Sequence, residues 1–147
     1  LVMITGLFGV TMAAWVPQVK AAFDPRRSIT ESLSPTIASS GVDAAIKQYH
    51  DLKVAQPTTY NFDEDELNSL GYRLLNAKKF NDAIRILQLN VEAYPQSSNV
   101  YDSLGEAYMD DGNKPLAIAN YQKALQQNPK NVNSAKMLQK LNADFSF

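Results

Sequence analysis

A chain of 147 residues, 45% hydrophobic and 20% charged, has the make-up of a single globular domain. Fourteen Lys/Arg against fifteen Asp/Glu leave a formal charge of -1, which sets aside a strongly basic nucleic-acid binder. There is no cysteine, which removes disulfides, thiolate-bound zinc, iron–sulfur clusters and a thiol nucleophile, and the one histidine, His50, cannot build a multi-histidine metal site, so no metal and no other cofactor is expected.

The first charge is Lys20; residues 1–19 carry none and are rich in Leu, Val, Ile, Met, Phe and Ala. As a helix that run spans about 28 Å, close to the roughly 30 Å hydrocarbon core of a bilayer. Residues 1–23 are therefore read as an apolar N-terminal helix and candidate membrane anchor. Leu1, Ile4, Leu7 and Phe8 lie in the apolar run, Trp15 suits the interface, and Lys20, Arg26 and Arg27 suit the cytoplasmic flank. Pro17 and Gln18 shorten the apolar stretch, and a signal-like segment or a soluble core helix remain as alternatives. The anchor reading places the chain at a bacterial inner membrane with its remainder in the cytoplasm; the signal-like reading makes it secreted or periplasmic.

Residues 24–33 are expected to be a linker. Ser and Thr crowd this part of the chain, and Pro25 and Pro35 break it. Ser34 can cap a short helix with Pro35 at its first position, and Gly41 can close it.

From residue 64 the sequence nearly repeats with a period of 34. Ser69, Leu70, Gly71, Ala83, Ile84, Gln88 and Pro95 fall on Ser103, Leu104, Gly105, Ala117, Ile118, Gln122 and Pro129. Such a period marks a helix–turn–helix array. Leu67, Leu70 and Leu74, like Tyr101, Leu104 and Tyr108, make one apolar helical stripe. Gly71 and Gly105 lack a side chain where paired helices approach, and a helical glycine costs roughly 1 kcal/mol relative to alanine, so a packing reason is expected. Asp111-Gly112-Asn113 is a turn signal, and Pro95 and Pro129 close the second helices. The full units are 64–97 and 98–131. Ala135, Leu138 and Leu141 make residues 132–142 a capping helix. Ahead of the units, Ala45, Tyr49 and Pro57 match the register of Ala117, Tyr121 and Pro129, so 34–60 is read as a degenerate half-repeat or cap, separated from the next unit by four extra residues around Thr59 to Phe62.

This pattern, L-G-x-x-Y followed by A-I, a large apolar residue and a closing Pro, resembles the tetratricopeptide repeat. The resemblance implies an all-α, TPR-type helix–turn–helix solenoid. Residues 33–142 also resemble repeat tails that follow catalytic domains in some bacterial serine hydrolases, which leaves a hydrolase accessory region as the alternative function.

No G-x-S-x-G elbow or S-x-x-K motif is present, and a triad would have to use His50, which follows Tyr49 and is expected to face solvent. No residue is assigned a catalytic role, and the chain is read as a non-enzyme without a small-molecule substrate. Asn61, Asp63 and Asp65 mimic the opening of a calcium loop, but Glu66 stands where glycine is required and Tyr72 where the closing Glu belongs. Acidic residues at the start of a helix, favoured by its dipole, explain them better.

In proteins with this repeat the first helices line a groove that holds partner peptides. By register that face carries Asn68, Tyr72, Leu75 and Asn76 from the first unit, Asn99, Asp102, Glu106 and Met109 from the second, and Asn133, Lys136 and Lys140 from the cap. Asp102 and Glu106 replace the basic residues that clamp a C-terminal carboxylate in chaperone-binding relatives, so that ligand is disfavoured. The expected function is a non-catalytic scaffold or accessory subunit that binds a protein partner, as part of a membrane complex contacted through residues 1–19. A solvated face without a ligand and a self-associating stack are the competing readings.

Overall fold

A computed structural model describes residues 24–144. Each amphipathic helix has one apolar stripe and must bury it against a neighbour, and here the solution is two rows of helices. The elements are β1 (Arg27–Ser28), α1 (Ile29–Ser40), α2 (Val42–Ala55), β2 (Tyr60–Asn61), α3 (Glu64–Asn76), α4 (Phe80–Ala93), α5 (Ser98–Asp110), α6 (Lys114–Gln127) and α7 (Val132–Asp144). The odd-numbered helices form one row, and α2, α4 and α6 pack against it as the other. Leu67, Leu70, Leu74, Ala83, Leu87, Leu104, Ala107, Ala117 and Tyr121 fill the interior between the rows.

The helix pairs close over glycine. A Cβ on Gly71 would stand 2.6 Å from Cγ and Cδ2 of Leu87, and one on Gly105 would stand 2.9 Å from the ring of Tyr121. Ala83 and Ala117 are fully buried at the same approach from the second helices. Both units end their first helix alike: Lys79 N–H donates to the Leu74 carbonyl at 2.9 Å, and Asn113 N–H to the Tyr108 carbonyl at 2.8 Å. The turn needs a left-handed residue, which is Gly112 (φ 82°) in the second unit and Lys78 (φ 61°) in the first. The Asn113 side chain then caps α6 at Leu116 N–H, with Pro115 in the first turn.

The N-terminal part departs from expectation. Residues 24–33 are not a linker throughout: α1 begins at Ile29, and Ile29 and Leu33, four apart, are fully buried. Its cap is Ser28, whose Oγ accepts from Glu31 N–H at 3.3 Å, rather than Ser34. Ser34 lies one turn inside and donates to the Thr30 carbonyl at 2.6 Å. Pro35 sits within the helix, where it removes the N–H from which the Glu31 carbonyl would accept, and both residues are exposed. Gly41 (φ 87°) closes α1 with its N–H on the Ile37 carbonyl. Residues 29–55 thus form a complete helix pair where a degenerate half-repeat or cap over residues 34–60 was expected.

The four extra residues have a use. Tyr60 and Asn61 pair in parallel with Arg27 and Ser28, and Arg27 N–H donates to the Thr59 carbonyl at 2.9 Å. Phe62 is buried, with its ring edge-on to Tyr49 at 5.4 Å. At the other end, Asn131 Oδ1 accepts from Ser134 N–H at 3.0 Å and starts α7, and Leu141 is buried. Gln139, exposed, occupies the register of Gly71 and Gly105. The apolar segment with Leu1, Ile4, Leu7, Phe8 and Trp15 lies outside the described residues; among the described ones no helix is long and apolar enough to cross a membrane.

Gly71→Ala and Gly105→Ala test the close approach. Overpacking a tight core costs about 1–3 kcal/mol, against roughly 1 kcal/mol returned by the better helix former. Both variants are expected to unfold at lower urea concentration than the parent. A gain in stability from either would contradict the packing described.

Candidate binding face

The odd-numbered helices present one continuous face, and register brings its residues into rows. Thr30, Asn68, Asp102 and Lys136 form one row across α1, α3, α5 and α7; Ser34, Tyr72, Glu106 and Lys140 form the next, once the four extra residues are allowed for. Polar bonds cross between neighbouring helices along these rows. Tyr72 Oη donates to Glu106 Oε2 at 2.5 Å and lies 3.4 Å from Ser103 Oγ. Asp102 accepts from Asn133 Nδ2 at 2.8 Å and from Ser134 Oγ. Asn99 Nδ2 donates to Glu64 Oε1 at 2.7 Å, and Arg73 donates to Ser34 Oγ at 2.7 Å.

The residues expected to line the face fall into three groups. Asn76, Asn99, Lys136 and Lys140 are exposed. Asn68, Tyr72, Asp102, Glu106 and Met109 are half-buried; Tyr72 lies against α5 through its hydroxyl, and Met109 packs on the core. Leu75 is buried at 4% exposure and belongs to the core.

Burial first, and then the hydrogen bond to Glu106, holds the Tyr72 phenol well above its ordinary value. Tyr121 moves the same way, by burial and then the Glu106 and Asp102 carboxylates. Its ring crosses Gly105, its hydroxyl is buried and has no hydrogen-bond partner, and the Asn68 Oδ1 atom is likewise unpartnered.

Three contributors escape a reading by repeat register. Glu66 accepts from Thr30 N–H at 3.1 Å and from Ser28 Oγ at 2.5 Å, so a side chain from α3 caps the N-terminus of α1. Ser103 and Ser134 bond across helices through hydroxyls; Ser103 repeats Ser69, but that repeat does not mark its contact with Tyr72, and Ser134 has no counterpart in the period. The replacement of Leu87 by Tyr121 at one register position is the one visible sign that a hydroxyl reaches beyond Gly105. His50 is exposed as expected, 3.8 Å from Glu92 on the opposite row of helices.

Residues 98–131 match the family model of the tetratricopeptide repeat. Residues 98–131 are a tetratricopeptide repeat. The first repeat domain of Spaghetti (RPAP3), solved with an HSP90 peptide, superposes with a TM-score of 0.56 at 18% identity, over 85% of this chain and 100% of that one. MamA residues 41 to the end from Desulfovibrio magneticus RS-1 gives 0.53 at 21% identity, over 79% and 63%. These likenesses carry the tetratricopeptide fold. In sequence, residues of the chain are 34% identical over 64 positions to human Superkiller complex protein 3, covering 44% of this chain and 4% of that protein. The chain thus spans a small fraction of that relative's length.

The buried tyrosines make stability fall at high pH. Tyr49, by burial first, is pushed up to about 12, and Tyr72 and Tyr121 are raised as well. A raised phenol keeps its proton in the folded chain when the unfolded chain has lost it, so stability is full below pH 10 and is lost as pH climbs toward 12. Tyr121→Phe removes a buried hydroxyl without a partner, and such groups cost about 1–3 kcal/mol. It is expected to raise the urea midpoint at pH 8 and to flatten the loss between pH 9 and 11; a lower midpoint at pH 8 would show that the hydroxyl is engaged.

Proposed function

We propose that the chain is a non-catalytic protein-interaction module that holds a segment of a partner protein against the face of α1, α3, α5 and α7. The observation that carries this reading is the row arrangement itself. Four consecutive first helices, cross-linked by side-chain hydrogen bonds, hold a polar surface with half-buried Tyr72 and Met109 in fixed positions. A surface already ordered costs little further entropy on binding. The neighbouring tetratricopeptide domain solved with an HSP90 peptide supports peptide capture as a use of this fold. A photo-crosslinking residue placed at Asn76, Asn99 or Lys136 is expected to capture a partner in the source cells, whereas one placed at exposed Gln122 on the other row is not. Capture from Gln122 alone would move binding to the opposite face.

The uncharged run at residues 1–19 supports a second part of the proposal: attachment to a bilayer, as an accessory subunit of a bacterial membrane complex with the repeats in the cytoplasm. An anchor raises the local concentration of the binding face. Flotation with liposomes is expected for the full chain and not for one starting at Asp24; equal flotation, or none, removes the anchor.

A further inference from the structure

The junction between α1 and α3 differs from the next junction along the row in one physical respect: it is underfilled. In register, Ser34 stands for Tyr72, Ala38 for Asn76, and Leu74 for Tyr108. The smaller set leaves a groove of about 180 Å³ between the C-terminal halves of α1 and α3. Its floor is apolar, made by Ile37, Leu70 and Leu74, each buried to within a tenth of its surface. Its rim is cationic. Arg73 donates to Ser34 Oγ, and neither Arg73 nor Lys79 has a carboxylate partner among the described residues. Both cations are exposed.

An unfilled apolar slot forgoes the packing contacts its walls could make, and a guanidinium whose acceptor is a neutral hydroxyl retains donors for a carboxylate. We infer that this groove takes one apolar side chain, Leu or Phe in size, from an extended partner segment in which Asp or Glu residues flank it and meet Arg73 and Lys79. The inference rests on the proposed peptide-holding role and names the chemistry of the peptide. It also separates two regions of the face: neutral and cationic chemistry at the C-terminal halves of α1 and α3, and the carboxylates Asp102 and Glu106 further along on α5. A basic segment would find no counter-charge at the groove, so charge complementarity selects the acidic one.

The test uses the full chain and an array of C-terminally amidated decapeptides in a Gly/Ser background. The central residue is Leu, Phe or Gly, and its neighbours are Asp/Glu, Gln or Lys. The amide removes the terminal carboxylate, so any anionic contact comes from side chains. Binding is expected for acidic peptides with Leu or Phe at the centre, at least tenfold tighter than for the Lys-flanked or Gly-centred peptides. Ala38→Leu, which fills the groove from an exposed position, and Arg73→Glu, which reverses the rim, are each expected to weaken it at least tenfold. Lys79→Glu serves in place of Arg73→Glu if the latter lowers the thermal midpoint. No binding by any acidic peptide, binding indifferent to the flanking charge, or binding that survives both variants overturns the inference. Partner capture from Asn99 or Lys136 alongside such a result would leave the interaction role standing and remove this site alone; loss of capture from the whole face would remove both.

Discussion

Contact between paired helices at the two glycines sets everything else in place. Where Gly71 meets Leu87 and Gly105 meets Tyr121, a methyl group would already be too large. This distance fixes how each second helix lies on its first, and hence how far the next first helix is carried along the row. The apolar stripes and the polar cross-links are consequences of that spacing. Leu33 holds the matching position in α1, so the first pair meets through a side chain where the later pairs meet through a backbone.

The polar bonds across the first helices are directed at neighbours one unit away, as with Tyr72 to Glu106 and Asp102 to Ser134. Such bonds are satisfied only if consecutive units keep one relative orientation. They therefore convert a stack of similar pairs into a single face with defined side-chain positions. The unpartnered Tyr121 hydroxyl and Asn68 oxygen show where this system of bonds stops short. The underfilled α1–α3 junction shows the same thing in the apolar layer.

The array was legible because its signal is redundant. Two units offset by 34 residues repeat their glycine, alanine and proline positions, and each position has one physical use. The α1–α2 pair was only half visible. Pro35 and the dense Ser/Thr residues argue locally against a helix, yet Ile29 and Leu33 are fully buried, and Glu66, far along the chain, adds a cap at Thr30 N–H beside the local one from Ser28. Tertiary burial outweighs local preference there, which a reading by period cannot see. On the candidate face, the exposure of positions such as Asn76 and Lys136 followed directly from register. The burial of Leu75 and the docking of Tyr72 on α5 did not, because they depend on the separation between helices, which the spacing of residues along the chain leaves open.

Gln139 stands where Gly71 and Gly105 stand in the units before it. A second helix laid across α7 in the manner of α4 on α3 would meet that side chain instead of a gap. A 34-residue unit inserted ahead of residue 132 would keep the glycine contact, whereas one added beyond α7 would have to pack over Gln139, as α2 packs on an α1 that carries Leu33 at that position. The geometry available to an added pair would thus depend on whether it meets a backbone or a side chain at that one position.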